Sequence, residues 1–109
     1  MGDTMRWAGL AIALALPAAP AWADQQSAIA AVRQNPNVVD AIPDNAGNLW
    51  VTVGADPKID WNRFAMLTCT AVQPHHARVF LVKVVDAASV RLSKTPQKWR
   101  LLGGANCGV

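Results

Sequence analysis

The sequence pattern that most constrains the fold is a secretory leader at residues 1–23, because leader removal sets the length and the compartment of the chain that folds. Arg6 supplies a positive charge, Trp7 to Leu16 form an apolar run, and Ala21 and Ala23 occupy the small-residue positions that signal peptidase recognises. The apolar run is shorter than the roughly 20 residues of a membrane-spanning helix, which disfavours a retained anchor. We therefore expect cleavage after Ala23, a periplasmic or secreted protein, and no membrane span after cleavage.

The start of the leader has two alternatives. A start at Met5 instead of Met1 would give a leader without Asp3, and the sequence leaves both starts open.

The size of the cleaved chain limits its stability. Removing 23 of the 109 residues leaves 86, at positions 24–109, which we expect to form a single α+β domain. A domain of this size buries only about 60–65% of the surface that its unfolded chain exposes, so we expect its stability to be marginal.

The charge of the chain excludes some classes of function. All of the ten Lys and Arg and seven Asp residues except Arg6 and Asp3 lie in 24–109, which leaves a net charge of +3. This excess is too small to indicate a nucleic-acid partner. Glu and Tyr are absent from the sequence, which restricts the acids and bases that an enzyme could use.

Cys69 and Cys107 are the only cysteines of the sequence, and in an oxidising compartment they are expected to form a disulfide. Closing a loop of about 39 residues stabilises a fold by roughly 3–4 kcal/mol in the chain-entropy view. A redox pair is disfavoured because there is no Cys-x-x-Cys motif to lower a thiol pKa. A bridge between two chains remains the other alternative.

The first half of the cleaved chain predicts a helix and a β-hairpin. Apolar spacing indicates a short helix over 27–34, which ends at the following Asn-Pro pair. The segments 37–42 and 48–54 have the composition and alternation of strands. Between them, the sequence Pro-Asp-Asn-Ala-Gly at 43–47 is rich in turn formers, which predicts an antiparallel hairpin.

The second half predicts a longer helix and a central strand. Asp60 is a good N-cap for a helix that ends before Pro74, and the residues that share one face of that helix are Trp61, Phe64, Ala65, Thr68 and Val72. The segment 77–85 is apolar on both faces, as in a central strand reached through a helical crossover. Residues 87–93 fit either a short strand or a helical turn, and 98–102 fit a last short strand.

This order of elements predicts an α+β fold: a small αββαβ(β) domain with a mainly antiparallel sheet, two helices packed on one face and one disulfide. In element order alone, residues 27–85 resemble the small αββαβ modules of envelope proteins, such as the BON type. The resemblance rests on no shared motif and implies no function.

The residues that could support chemistry are poorly placed for it in the sequence. Adjacent His75 and His76 lack the spacing that zinc sites use, and we expect no metal and no cofactor. Nucleophilic catalysis would need Ser27, Ser89 or Ser93 to be placed beside a histidine by the fold, without a Gly-x-Ser-x-Gly elbow. We therefore expect no enzyme, and a small hydrolase that uses His75 or His76 is the least favoured alternative.

A basic segment near the C-terminus is the one candidate binding patch, and its residues are Arg91, Lys94, Lys98, Trp99 and Arg100. It contains no acidic residue, so it could bind an acidic envelope protein or an anionic envelope surface. The structural alternative is a solvated edge with Trp99 turned into the core. We expect a protein-interaction or inhibitor-like envelope module, with weak binding of anionic surfaces as the other hypothesis.

Overall fold

The computed structural model describes residues 21–108, with side chains from residue 24 onward, so the predicted leader lies almost entirely outside the described residues. In chain order the elements are helix α1 (Ala21–Arg33), strands β1 (Val38–Pro43) and β2 (Asn48–Val53), helix α2 (Trp61–Val72), strand β3 (Leu81–Asp86), helix α3 (Ala87–Leu92) and strand β4 (Leu101–Asn106). Two short 3-10 turns, Gln73–His75 and Pro96–Lys98, follow α2 and α3. The predicted α+β class is confirmed.

The four strands form one mixed sheet in the order β1-β2-β3-β4. The outer pairs are antiparallel, and β2 and β3 are parallel. The parallel pair requires a crossover, which α2 supplies, as the sequence predicts. The last strand departs from the prediction: residue 98 belongs to the second 3-10 turn, and β4 starts later and runs on through both glycines of the Gly-Gly pair.

Helix α1 begins six residues before the predicted start at Ser27, and Asp24 lies in its first turn, where the helix dipole favours a carboxylate. The turn between β1 and β2 is closed by hydrogen bonds to Asp44 and by Gly47, whose φ of 85° suits glycine. A side chain at Gly47 would also collide with the ring of Phe80. The predicted hairpin is confirmed, with Ile42 paired to Trp50.

Helix α2 forms as its sequence predicts. The Asp60 carboxylate accepts hydrogen bonds from the backbone N–H groups of Asn62 and Arg63, at 3.1 and 3.2 Å. The buried residues of the helix are Trp61, Phe64, Ala65, Thr68, Cys69 and Val72. The 3-10 turn that contains Pro74 then ends the helix.

The two faces of the sheet are covered by different helices. The inner face carries Leu49, Val51, Val53, Val82 and Val84, which pack with α1 and α2 in the main core. The outer face carries Trp50, Thr52, Lys83 and Val85, because side chains alternate along a strand. Thr52 and Val85 are buried on that face beneath α3, which lies outside the main core. Helices α2 and α3 therefore lie on opposite sides of the sheet.

The disulfide joins Cys69 of α2 to Cys107, with their Cα atoms 5.2 Å apart. The N–H of Cys107 donates to the carbonyl of Phe80 at 2.8 Å, so the segment after β4 is attached both to α2 and to the residue that precedes β3. Both cysteines are buried. The predicted pairing is confirmed, and it holds the C-terminal segment against the helix.

At each edge of the sheet, a helix side chain hydrogen-bonds to one backbone group of the edge strand. At β1, the Arg33 guanidinium donates to the Asp40 carboxylate at 2.9 Å and to the Ala41 carbonyl at 3.1 Å. At β4, the Asn62 side-chain oxygen accepts from the Gly104 N–H at 3.0 Å. An incoming strand would meet one bonded carbonyl at β1 and one bonded N–H at β4, which disfavours strand addition at those positions.

Candidate functional site

The structure distributes the predicted basic segment over several short elements. Arg91 lies in the last turn of α3, Lys94 in the following loop, and Lys98 in the second 3-10 turn. These three side chains are exposed, as is Arg100. Trp99 is half-buried. The segment is therefore a short helix and a loop attached to the outer face of the sheet.

Trp99 makes this attachment. Its ring lies edge-on to Trp50, with ring centres 5.2 Å apart and planes at 88°. Its indole N–H donates to the carbonyl of Ser93 at 2.7 Å. An edge-to-face pair of this kind contributes about 0.5–1.5 kcal/mol beyond the burial of its area. Trp99 thus contacts the sheet, and the cations around it carry the exposed charge.

Trp50 and Lys83 are members of this region that the sequence analysis missed. The Lys83 ammonium lies 4.8 Å from the Trp50 ring centre, a cation–π contact across the parallel strand pair. The two residues are paired in the register of β2 and β3. Their alternation with buried valines was a signal that they share the outer face, but only the register shows that they are neighbours.

The carboxylate of the turn residue Asp44 holds the indole N–H edge of Trp50 through a hydrogen bond. Its carboxylate accepts from the Trp50 indole at 3.0 Å, from the Asn48 amide at 2.9 Å, and from the N–H groups of Ala46 and Asn48 at 2.8 and 3.0 Å. Burial by itself would raise the pKa of Asp44, but these hydrogen bonds outweigh it and lower the pKa to about 2. Asp44 therefore stays ionised and orients the ring of Trp50.

An exposed leucine lies among the cations. Leu92 is 87% exposed, and it stands between Arg91 and Lys94 in the chain. We name Arg91, Leu92, Lys94 and Lys98 the basic surface. An exposed apolar side chain with cationic neighbours in the chain suits an apolar pocket with an acidic rim.

Arg100 has a different local setting. Its guanidinium lies 4.0 Å from the carboxylate of Asp86, and its side chain is 71% exposed. Its backbone N–H donates to the Ser89 hydroxyl at 2.8 Å. A surface ion pair of this kind contributes about 0–1 kcal/mol, so the guanidinium keeps most of its capacity to bind an anion.

The fold does place one serine beside a histidine. The Ser27 hydroxyl of α1 lies 2.9 Å from Nδ1 of His75, and it also donates to the backbone carbonyl of Asp24 at 3.1 Å. The contact is exposed, and in the described part of the chain no carboxylate hydrogen-bonds to His75. A serine nucleophile requires a base that a third group orients, and this pair lacks that group among the described residues.

The other groups considered for chemistry have structural contacts. Ser89 donates to the carbonyl of Asp86, and Ser93 accepts from the N–H of Thr95. His76 is exposed and adopts φ of 54° where the 3-10 turn ends. Within residues 24–108, no three His, Cys, Asp or Glu side chains come together in a way that could hold a metal ion.

Over the described residues, no helix has the length and apolar character to cross a membrane.

Comparisons of this chain with protein-family models, with curated proteins and with solved structures find no match.

Proposed function

We propose that this chain is a small exported domain that acts by binding, and that its basic surface binds an acidic partner protein. The observation that carries the proposal is the exposure of Leu92, which is 87% accessible between two exposed cations. At the end of a short helix, Leu92 supplies exposed apolar area that a partner would bury as an anchor residue.

The rigidity of the surface supports a specific partner. Asp86 caps the N-terminus of α3, because its carboxylate accepts from the N–H of Ala88 at 3.0 Å. The contact between Trp99 and Trp50 fixes the segment that follows the helix. A surface that is ordered before binding loses less conformational entropy on association.

The dimensions of the surface favour a protein over a lipid bilayer. Helix α3 has six residues and presents one strongly exposed leucine, Leu92. Helices that lie in a membrane interface use a long apolar face, because their binding grows with buried apolar area. One leucine is too little for that mode, whereas a single anchor in a pocket is typical of protein interfaces.

Site-specific crosslinking in the exporting cell tests this proposal. A photo-reactive residue replaces Leu92, and in the control it replaces Leu67, a leucine of α2 that is 60% exposed on the other side of the sheet. We expect position 92 to crosslink a discrete acidic protein and position 67 not to do so. Reversing Arg91 and Lys94 to Glu should lower the yield at least about tenfold through the loss of electrostatic attraction.

Three outcomes would contradict the proposal. Equal adducts at both positions would indicate nonspecific contact. An adduct at position 92 that survives the change of Arg91 and Lys94 to Glu would show that charge does not select the partner. Adducts to lipid alone, with salt-sensitive sedimentation of anionic vesicles, would favour an anionic envelope surface as the partner.

A further inference from the structure

A cleft lies where the connections that leave β2 and β3 separate. The chain leaves β2 toward α2 on the inner face, and it leaves β3 toward α3 on the outer face. When neighbouring parallel strands send their connections to opposite faces, a crevice opens outside their carboxyl ends, and this is where open sheets bind ligands. This topology places a crevice beside the loop that follows β2, near the start of β4.

The structure has a cavity of about 450 Å³ at this position. That volume lies within the roughly 300–1,000 Å³ of small-molecule sites. Its lining includes Ile59, Trp61 and Leu102 as apolar walls, with Asp56 and Arg100 as the charged groups. An open cleft that combines apolar walls with two groups of opposite charge can orient a small molecule that carries both kinds of group.

A β-bulge forms part of the cleft wall. Val84 pairs with Gly103 and Val85 with Leu101, so Leu102 is the extra residue of β4. Bulges redirect side chains and are common beside binding sites. The Leu102 side chain packs against the main core and also lines the cleft, so the bulge connects the pocket wall to the rigid part of the fold.

The charges of the cleft restrict its ligand. Arg100 lies 4.0 Å from the Asp86 carboxylate in an exposed ion pair, and its remaining guanidinium donors are available to a ligand carboxylate. Asp56 accepts from the N–H of Lys58 at 2.9 Å through one oxygen, which leaves the other oxygen to accept from an ammonium. A simple anion would be repelled by Asp56, and a simple cation would be repelled by Arg100. A molecule that carries both charges on an apolar body satisfies both groups.

We infer that this cleft binds a small apolar zwitterion, such as a free amino acid with an aliphatic or aromatic side chain. Arg100 binds its carboxylate, Asp56 binds its ammonium, and Ile59 and Leu102 contact its side chain. The inference does not depend on the basic surface, which lies on Arg91, Leu92, Lys94 and Lys98.

An NMR titration of the ¹⁵N-labelled protein tests this inference with L-leucine and L-phenylalanine as probes. We expect saturable shifts confined to the backbone amides of residues 55–56, 58–61 and 100–102. The matched probes are 4-methylpentanoate, which lacks the ammonium, and 3-methylbutylamine, which lacks the carboxylate. Each should bind at least about tenfold more weakly than leucine, because each leaves one charged group without a partner.

Two variants assign the charges, and a third serves as control. D56N keeps an oxygen for the turn and should weaken leucine binding about tenfold while sparing 4-methylpentanoate. R100Q should weaken leucine binding by a similar factor while sparing 3-methylbutylamine. R78Q, a change of an exposed arginine before β3, should leave the affinity unchanged.

The same spectra show whether each variant is folded, so loss of structure is distinguished from loss of binding. Either of two results overturns the inference: no localised shifts with leucine or with phenylalanine, or an affinity for leucine that D56N and R100Q both leave intact.

Discussion

The change Gly103→Ala tests how closely α2 lies against β4. A Cβ atom at this position would lie 2.6 Å from the carbonyl carbon of Trp61 and 2.7 Å from the backbone nitrogen of Asn62. Real Cβ atoms do not approach backbone atoms so closely, and backbone cannot rotate away as a side chain can. The N-terminus of α2 must therefore move away from the sheet.

The expected loss of stability has two parts. Forced overpacking costs about 1–3 kcal/mol. Movement of α2 also weakens the hydrogen bond from the Gly104 N–H to Asn62, which contributes about 1 kcal/mol. Together these give a destabilisation of about 2–4 kcal/mol, or a fall in Tm of roughly 10–25 °C for a domain of this size.

Urea unfolding followed by tryptophan fluorescence, together with thermal unfolding followed by circular dichroism, measures this loss. The matched control is Gly54→Ala, because an added Cβ there has no atom within 4 Å. The control should change the free energy of unfolding by less than about 0.5 kcal/mol. If both alanine variants unfold at the same urea concentration, α2 does not lie against Gly103 as described.

Two further predictions concern the disulfide and the turn before β2. Replacing Cys69 and Cys107 by serine should lower the free energy of unfolding by about 4 kcal/mol, since their bridge spans 38 positions of the chain; calorimetry that shows an unchanged Tm would contradict this. Asp44→Asn should destabilise the fold by about 1 kcal/mol at neutral pH, after allowance for the exposure of the carboxylate. The pKa of Asp44 in the folded protein is about 2, below its ordinary 3.8. The stability difference between wild type and Asp44→Asn should therefore persist above pH 4 and disappear as the pH falls from about 4 to about 2. A stability difference that stays constant across this pH range would show that the Asp44 carboxylate does not stabilise the fold.

The sequence predicted the elements whose signals are local. The N-cap at Asp60 and the apolar spacing of α2 depend on residues a few positions apart, and so does the turn at Asp44 and Gly47. The disulfide followed from counting, since the sequence offers a single intramolecular pairing. Each of these features can be predicted without knowing how distant segments of the chain pack together.

The features that the sequence analysis missed depend on register. The contact of Lys83 with Trp50 appears only when β2 and β3 are aligned. Gly103 and Gly104 lie beyond the predicted last strand at 98–102, whereas the structure includes both in β4, and α2 leaves no room for a side chain at Gly103. The cleft brings together Asp56 and Arg100, which are more than forty positions apart in the chain. No local sequence pattern predicts that these two residues are neighbours.

The backbone groups that are bonded at the two edges of the sheet bear on how copies of the chain could associate at high concentration. The side chains of Arg33 and Asn62 occupy backbone groups that would otherwise serve as a template for neighbouring copies. Removing either side chain would free one backbone group for pairing with a neighbouring copy. Arg33 and Asn62 therefore each protect one edge position of the sheet against strand addition by a second copy of the chain.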